Sequence, residues 1–445
     1  MKIKTQHSST GIDQLYRSKI TPQRKMITPT LVLLLIMLVI PLYLFIDSLV
    51  PLRPPSKLGL YSGLTRRDFG VEKQHCDVFR GMWVPYPNAT YYTNESCPLI
   101  IDQQNCLKFG RPDTDFLKWR WKPDKCELPR FDAIEFFEMV KGKSIAFVGD
   151  SVGRNQMQSL LCLLATVSDP VDITLNYTSD ITNFRRWLFP EYNLTLASFW
   201  APFLVKAADS DSKGHTYTSI MSLYLDEPEE TWARDIVDFD YVIVSAGQWF
   251  YRPMMFYEKG RLAGCASCGQ WHPNVMEMSR FYGYRMAFRT TFRTLVDLKG
   301  YKGVTFLRTF SPAHYENGPW NDGGNCIRTR PFGKEEVNLE GYDMEFYKAQ
   351  VEEFRAASSD INSKISWRRQ NKFKLLDTTR ASLMRPDAHP NIYGHSPHRN
   401  ATFNDCVHWC VPGAIDTWNE FLFHLMKPLE NRKLSFWKQL RGWSP

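Results

Sequence analysis

The first 75 residues of this 445-residue chain contain no cysteine, and all ten cysteines follow from Cys76 onward. The chain has no internal repeat and no low-complexity segment, which excludes a repeat architecture or a long polar tract as its main body. It also lacks a glycine-rich loop of the phosphate-cradling kind, so the sequence offers no obvious pocket for a nucleotide or for coenzyme A. The chemistry of the chain must therefore be carried by other motifs.

An excess of charge is absent from most of the chain, although its formal net charge is +8. Residues 1–25 hold six Lys/Arg and one acidic residue, whereas residues 26–445 hold 49 Lys/Arg and 46 Asp/Glu, a net charge of +3. A large domain with such balanced charge has no electrostatic footprint for nucleic acid. A neutral partner suits it better.

Residues 27–46 (ITPTLVLLLIMLVIPLYLFI) carry no charge. About 20 apolar residues cross a membrane core, and proline is tolerated there. No A-x-A-like cleavage site follows, so the segment is interpreted as an uncleaved signal anchor. The basic residues before it place the N-terminus in the cytosol, and the rest of the chain in the lumen. The predicted N-terminal divisions are a cytosolic tail (1–26), a transmembrane anchor (27–48) and a stem (49–71).

Five N-glycosylation sequons support a lumenal location. Their asparagines are Asn88, Asn94, Asn176, Asn193 and Asn400. The lumen also permits disulfides, and most of the ten cysteines are expected to be paired. Cys265-Ala-Ser-Cys268 and Cys406-Val-His-Trp-Cys410 have spacings that occur among zinc ligands. In this compartment we expect disulfides there and no metal site.

Beyond the stem, a small block rich in cysteine and aromatic residues (72–127) precedes one large domain (128–427) and a C-terminal tail (428–445). The block is too small for a core of its own and is expected to be stapled to its neighbour. Strand-like runs in the domain alternate with helical segments such as Tyr282–Leu298, which predicts an α/β fold with a mostly parallel sheet covered by helices on both faces. The predicted strands are Ser144–Val148, Tyr241–Ser245, Val304–Phe310 and Phe373–Leu376. The predicted inner face of the helix consists of Met286, Phe288, Phe292, Leu295 and Val296.

Ser151 lies where the first of these strands passes into a helix, in the sequence KSIAFVGDSVGRNQMQSLLC. Sites in such sheets gather beyond the carboxyl ends of strands, and Gly247-Gln248-Trp249 follows the second strand in the same way. Free N–H groups at the helix start could face the oxyanion of a tetrahedral intermediate. Ser151 is therefore a candidate nucleophile. The alternative is that Asp150 or Ser151 only caps the helix.

A nucleophilic serine needs a base, and two Asp/His pairs are candidates. Asp405 and His408 lie three residues apart in FNDCVHWCVPG, so one turn can present both side chains on one side. The carboxylate could then orient the imidazole and stabilise its charge. Asp387 and His389 lie in RPDAHP, where a proline follows the histidine. The spacing favours Asp405 and His408, and leaves Asp387 and His389 as the second choice.

Together, these motifs resemble those of the plant trichome birefringence-like family. The resemblance covers about residues 75–426 and rests on GDSVGRNQMQSLLC, DCVHWCVPGAIDTWNEFL and the block motifs CDVFRGMWV, SCPLIIDQQNC and FGRPDTDFLKWRWKPDKCELPRFDA. It implies an α/β/α sandwich similar to that of the SGNH/GDSL esterases, with Ser151, Asp405 and His408 as the catalytic residues. The GDSxxRN pattern adds Arg154 and Asn155 near the site, as residues that hold the oxyanion or the substrate.

The resemblance also implies a function, namely O-acetylation of a plant cell-wall polysaccharide by a type II Golgi membrane protein. Xyloglucan is the preferred acceptor, followed by glucomannan and xylan. The implied route is a double displacement that needs an acetyl donor, acetyl-CoA or another carrier, and no tightly bound cofactor. Gly247 or Gln248 would help to hold the oxyanion. Trp249, Trp271 and Trp320 are candidates for stacking on sugars, or else belong to the core. The rival functions are an acetylesterase with the same triad and a non-catalytic polysaccharide-binding protein.

The family pattern further implies four disulfides. These are Cys76–Cys126, Cys97–Cys162, Cys106–Cys410 and Cys326–Cys406. It leaves Cys265 and Cys268 as a local pair or as free thiols. The two bridges that flank DCVHWC would hold His408 against Ser151.

Overall fold

The computed structural model describes residues 76–210, 219–270, 272–359, 372–395 and 404–440, with side chains up to residue 429. The predicted cytosolic tail, membrane anchor and stem lie outside the described residues, as do Trp271 and Asn400. Within those ranges, no helix is both long and apolar enough to cross a membrane.

A seven-stranded sheet lies at the centre of the described structure, and five of its neighbouring strands are parallel. In order across the sheet, these are β13 (Phe373–Leu376), β12 (Val304–Arg308), β9 (Tyr241–Ser245), β3 (Ser144–Gly149) and β6 (Leu194–Trp200). The antiparallel strands β5 (Phe184–Phe189) and β4 (Val171–Asp172) extend the edge beyond β6. The α/β fold with a mostly parallel sheet is thus confirmed, and the four predicted strands lie side by side in it.

Alternate residues of β3 point into two separate cores, one on each face of this sheet. Ile145 and Phe147 belong to one core, and Ala146 and Val148 to the other. The helices that contribute to the first core are α1 (Ala133–Val140), α2 (Ser151–Ala165), α6 (Thr379–Leu383) and α7 (Asp416–Leu440). Those of the second are α3 (Glu230–Asp235), α4 (Arg280–Asp297) and α5 (Gly341–Ser358). Because both faces of β3 and β9 are covered, their sequences are nearly continuous apolar runs.

Two helices differ in detail from the sequence prediction. The predicted helix 282–298 corresponds to α4, in which Phe288, Phe292 and Leu295 are buried, whereas Met286 and Val296 are only partly buried. Helix α7 continues to Leu440, past the predicted domain end at residue 427.

A second, four-stranded sheet was not predicted from the sequence. Its order is β11 (Arg261–Ala266), β10 (Met254–Glu258), β8 (Met221–Pro228) and β7 (Val205–Asp209). Only the β10–β8 pair is parallel. The side chain of Phe256 on β10 approaches α4 at Gly283, where an added Cβ would lie 2.3 Å from its ring. Gly283 therefore lets this sheet pack closely against α4.

The N-terminal block packs on the last helix. Its antiparallel strands β1 (Gly81–Pro85) and β2 (Trp119–Pro123) bring the rings of Trp83 and Trp121 to 5.7 Å from each other. Trp121 also packs on Phe421 of α7, with ring centroids 6.2 Å apart. The block thus shares the first core of the domain, as expected of a segment too small to fold alone.

Five disulfides join the ten cysteines. They are Cys76–Cys126, Cys97–Cys162, Cys106–Cys410, Cys265–Cys268 and Cys326–Cys406. The four bridges that the family pattern implies are all present, and the local pair is the fifth. The carboxylate of Glu277 lies near both sulfurs of that local pair.

Candidate active site

Ser151 is the first residue of α2 and follows a tight turn at the end of β3. Gly149 has a φ of 152°, and an added Cβ would lie 1.6 Å from the carbonyl oxygen of Ser245 on β9, so only glycine fits there. The side chain of Asp150 caps the helix, because its Oδ1 accepts hydrogen bonds from the N–H groups of Val152 and Gly153 (3.1 and 3.3 Å). Because Asp150 caps the helix, the hydroxyl of Ser151 is not needed as the cap and can take part in catalysis.

The structure brings Ser151, His408 and Asp405 together although 254 residues separate Ser151 from Asp405. His408 Nε2 lies 2.7 Å from Ser151 Oγ, and His408 Nδ1 lies 2.8 Å from Asp405 Oδ2. The His408 and Asp405 side chains are about a quarter exposed, 25% and 27%. This is the order of contacts that lets an imidazole remove a serine proton while a carboxylate orients it.

The backbone reinforces this arrangement electrostatically. Asp405 Oδ1 accepts hydrogen bonds from the N–H groups of Val407 and His408, at 3.1 and 2.9 Å. Burial alone would raise the pKa of Asp405, but the His408 imidazole and these hydrogen bonds outweigh it and lower the pKa to about 2. Burial would lower the pKa of His408, but the Asp405 carboxylate outweighs it and raises that pKa above 6.5. Asp405 is therefore ionised at neutral pH, and its negative charge makes His408 a stronger base.

The second Asp/His candidate has a different role. His389 Nδ1 lies 2.6 Å from the carbonyl oxygen of His408, and its Nε2 lies 2.7 Å from His314 Nδ1. Asp387 forms a buried two-point ion pair with Arg385, at 2.8 and 2.9 Å. His389 thus supports the backbone of the base, while burial keeps its pKa well below 6.5.

Asn155 requires a correction. The family pattern predicts that it holds the oxyanion or the substrate, but its side chain is fully buried and bonds to backbone. Asn155 Oδ1 accepts from the Trp409 N–H at 2.7 Å, and Asn155 Nδ2 donates to the Trp409 carbonyl at 3.2 Å. Asn155 thus ties the helix of the nucleophile to the loop of the base. A long-range contact of this kind leaves no local signal in the sequence.

A narrow crevice at the start of α2 is lined by Asp150 and Val152, the two neighbours of Ser151 in sequence, and in part by residues of the predicted site. Its lining residues are Asp150, Val152, Ala246, Gly247, Gln248, Arg308, Phe310 and Ser311. Gln248 Nε2 donates to the Ser311 carbonyl at 2.9 Å, which fixes its amide beside the crevice. A Cβ added at Gly247 would lie 2.6 Å from the Phe310 ring, so the close fit of this wall requires glycine.

Arg154 and Trp249 both pack against the aromatic side chain of Trp200. The guanidinium of Arg154 lies 4.3 Å from the ring centroid of Trp200 and donates to the carbonyl of Thr182 at 3.0 Å. The ring of Trp249 packs edge-on against Trp200 at 5.3 Å and remains partly buried. Trp320, the other described tryptophan proposed for stacking, is 38% exposed.

Sequence reasoning missed Arg111, which reaches from the N-terminal block to the loops behind His408. Its guanidinium donates to the carbonyls of His389 and Asp387, at 2.7 and 2.5 Å, and pairs with Asp113 at 3.1 Å. Arg111 belongs to the FGRPDTDF stretch, one of the motifs on which the family resemblance rests. The disulfides of Cys406 and Cys410 hold the two ends of the same DCVHWC loop.

Comparison with known proteins agrees with this geometry. Residues 128–425 match the GDSL/SGNH-like acyl-esterase family found in Pmr5 and Cas1p, and residues 74–127 match the PMR5 N-terminal domain. Protein trichome birefringence-like 19 of Arabidopsis thaliana is 47% identical over 385 residues, which are 85% of this chain and 87% of that protein. Xyloglucan O-acetyltransferase 4 of Populus trichocarpa is 42% identical over 360 residues, covering 81% and 83% of the two chains. Xyloglucan O-acetyltransferase 2 of Arabidopsis thaliana is 42% identical over 356 residues, covering 80% and 83%.

Proposed function

Because the chain belongs to the GDSL/SGNH-like acyl-esterase family found in Pmr5 and Cas1p, we propose that it is a polysaccharide O-acetyltransferase that acts on plant cell-wall xyloglucan. The observation that supports this most strongly is the contact of Ser151 Oγ with His408 Nε2 at 2.7 Å, together with the contact of His408 Nδ1 with Asp405 Oδ2 at 2.8 Å. The relatives named xyloglucan O-acetyltransferases support the choice of acceptor. Membership in the family confirms the resemblance found in the sequence motifs.

The reaction proceeds in two displacements. His408 Nε2 removes the proton of Ser151, whose Oγ attacks the carbonyl carbon of the acetyl donor. The intermediate collapses to acetyl-Ser151, and the leaving group of the donor takes the proton from His408. A sugar hydroxyl then gives its proton to His408 and attacks the acetyl carbon. The intermediate collapses to the acetylated sugar, and Ser151 Oγ leaves with the proton that His408 returns to it. Asp405 keeps the imidazole oriented and stabilises its charged form in both steps.

The oxyanion is held by the backbone N–H of Ser151 together with the backbone of Gly247 or the side chain of Gln248. Both residues line the crevice beside the nucleophile. Removing one such donor commonly costs about 3 kcal/mol of transition-state stabilisation. The acetyl donor is acetyl-CoA or another acetyl carrier, used as a substrate, and the proposal includes no tightly bound cofactor.

Acceptor and reaction type are tested together. The purified protein is incubated with an acetyl donor and, separately, with deacetylated oligosaccharides of xyloglucan, glucomannan and xylan. The expected product is a xyloglucan fragment heavier by one acetyl group, which Ser151→Ala does not form. Release of free acetate without any acetylated sugar would make the protein an acetylesterase. Sugar binding without acetyl chemistry would make it a binding protein.

The protein is further proposed to be a type II membrane protein of the Golgi, with residues 27–48 as its anchor. The uncharged segment after a basic tail supports this, as do the sequons, of which Asn88, Asn176 and Asn193 are exposed. Glycosidase treatment of the expressed protein should increase its electrophoretic mobility. Unchanged mobility would argue against a lumenal domain.

A further inference from the structure

Two exposed tyrosines lie next to each other on the surface, and we call them the tyrosine platform. Tyr251 is 37% exposed and Tyr342 is 56% exposed. Their ring centroids lie 6.2 Å apart, and the ring planes are inclined by 37°. Exposed aromatic rings that lie together, rather than singly, form the kind of surface patch at which ligands bind.

The platform is rigid although it is exposed. Its rings pack on Phe346, which is fully buried and lies 5.2 Å from the ring of Tyr251, and on Phe281, which lies 5.4 Å from the ring of Tyr342. The guanidinium of Arg280 lies 5.4 and 5.6 Å from the two tyrosine ring centroids. Since these contacts already fix both rings, a ligand would not have to order them.

The platform is connected to the crevice beside Ser151 by two routes. Along the chain, Tyr251 ends the short 3₁₀-helix Gln248–Tyr251, which begins directly after Gly247 of the crevice wall. Through space, the ring of Phe346 that supports Tyr251 stacks at 4.9 Å on Phe310, another residue of that wall. At about 2 Å of rise per residue in a 3₁₀-helix, Tyr251 lies roughly 8 Å beyond Gly247.

The guanidinium of Arg280, the charged group that lies at both tyrosine rings, is engaged internally. Arg280 donates to the carbonyl of Tyr251 at 3.0 Å and to Ser267 Oγ at 2.9 Å. Burial raises the pKa of Asp343 to about 6, and burial together with the negative charge of this carboxylate raises the pKa of Tyr251. A ligand with a formal charge would gain little here, whereas a neutral molecule with flat C–H faces and hydroxyls at its edges fits two tyrosine rings. The pyranose rings of an extended β-linked glucan have that shape.

We propose that the tyrosine platform is an acceptor subsite. It binds two neutral pyranose rings of the polysaccharide backbone, next to the sugar residue that receives the acetyl group from Ser151. The assignment rests on the proposed function and adds where the acceptor chain lies. In this arrangement the platform binds the backbone of a long acceptor, whereas the reaction takes place at Ser151. Long acceptors should therefore bind better than fragments too short to reach from the crevice to the platform.

Kinetics with acceptors of increasing length test this directly. Tyr342→Ala should raise the KM of long xyloglucan oligosaccharides by about ten-fold, the order of one lost aromatic contact, and should change it much less for the shortest acceptor. Tyr342→Phe keeps the ring and should behave like the wild type. Tyr86→Ala is the matched control, because Tyr86 also has arginines at its ring (Arg120 at 5.6 Å and Arg130 at 5.4 Å) but lies in the N-terminal block. Equal KM values for wild type and Tyr342→Ala at every length would overturn the proposal.

Direct binding separates this inference from the proposed reaction. The affinity of Ser151→Ala protein for a neutral xyloglucan oligosaccharide and for cellohexaose is measured by calorimetry, with and without Tyr251→Ala and Tyr342→Ala. Binding that weakens about ten-fold in the platform variants supports the subsite even if no acetyl transfer is ever detected. Binding that is unchanged, or absent in Ser151→Ala protein with an intact platform, contradicts it.

Discussion

At the scale of single residues, the base of the site owes its strength to its neighbour. The Asp405 carboxylate raises the pKa of His408, and the pKa of Asp405 itself stays near 2. Since catalysis needs neutral His408, activity should fall as the pH drops through that raised pKa, with the midpoint above 6.5. Asp405 stays ionised throughout this range.

The change Asp405→Asn tests this electrostatic role. Loss of the carboxylate should lower the pKa of His408, move the acidic limb of the kcat/KM profile to lower pH and reduce kcat. In a serine protease the same change costs on the order of 10⁴ in kcat. The measurement is a pH–rate profile of acetyl transfer. A profile with an unmoved acidic limb would mean that another group sets it.

Asn155 acts through the backbone of the residue after His408. Asn155→Ala should leave the N–H and C=O of Trp409 without their partners, which costs about 1–3 kcal/mol for each buried group. The base should then be misplaced, so kcat should fall by ten-fold or more together with a lower melting temperature.

The matched control for Asn155→Ala is Gln158→Ala. Gln158 is a buried amide on the same helix, and its Nε2 has no hydrogen-bond partner in the described structure. Its replacement should leave kcat near the wild-type value. Equal kcat losses in both variants would show that helix α2, rather than the bond to Trp409, is at fault.

At the scale of elements, the DCVHWC loop is held from both sides by long disulfides. The Cys106–Cys410 bridge spans 304 residues and ties the loop to the N-terminal block, where Arg111 also reaches the Cys410 sulfur at 3.4 Å. Replacing both cysteines by serine should cost up to about 6 kcal/mol in the chain-entropy model and should lower kcat, because His408 loses its tether.

The local bridge supplies the comparison. Cys265 and Cys268 are only three residues apart in sequence, and their bridge lies far in sequence from the DCVHWC loop. Their double replacement by serine should reduce kcat less than the Cys106/Cys410 change. Melting curves and kcat of both variants decide the point. A larger loss of activity from the Cys265/Cys268 change would contradict the claim that the Cys106–Cys410 bridge holds His408 in place.

Helix α7 carries two buried carboxyls whose pKa values lie above their usual range, mainly because of burial. The pKa of Asp416 is raised to about 6 and that of Glu420 to about 7. A group with a raised folded pKa stabilises the fold fully below its unfolded pKa and loses this contribution as the pH rises through the folded value. The part of the stability due to these groups should therefore decrease between about pH 5 and pH 8.

Glu420→Gln removes one of these ionisations while keeping an oxygen to accept the Tyr91 hydroxyl, the partner of Glu420 Oε1. The fall in melting temperature between pH 5 and pH 8 should be smaller in this variant than in the wild type. Glu135→Gln serves as the control, because Glu135 is exposed and pairs with Lys427 at the surface. An identical pH slope in wild type and Glu420→Gln would contradict the assignment.

At the scale of the whole molecule, the parts that sequence predicted are those with strong local patterns. The four predicted strands are short apolar runs that a doubly covered sheet requires, and the turn at Gly149-Asp150-Ser151 follows from the helix pattern after it. The spacing of Asp405 and His408 also distinguished them from Asp387 and His389. These patterns are encoded within a few residues.

The features that sequence missed depend on distant partners. Strands β7, β8, β10 and β11 pair with one another across 62 residues, and strand β7 (VKAAD) has little strand character of its own. Asn155 and Arg111 bind backbone groups 254 and 278 residues away along the chain, and His389 lies against a backbone carbonyl 19 residues away. The family resemblance drew attention to the regions around these residues, but only the folded structure shows which groups each side chain contacts.

The most direct test of the central claim is the detection of an acetyl group on Ser151. Protein incubated with an acetyl donor and no acceptor should yield a peptide spanning residues 144–154 that is heavier by one acetyl group. The mass should return to normal when xyloglucan oligosaccharide is added, and Ser151→Ala protein should never show it. Acetyl transfer to sugar that persists in Ser151→Ala, or an acetyl group found only on another residue, would contradict the double displacement.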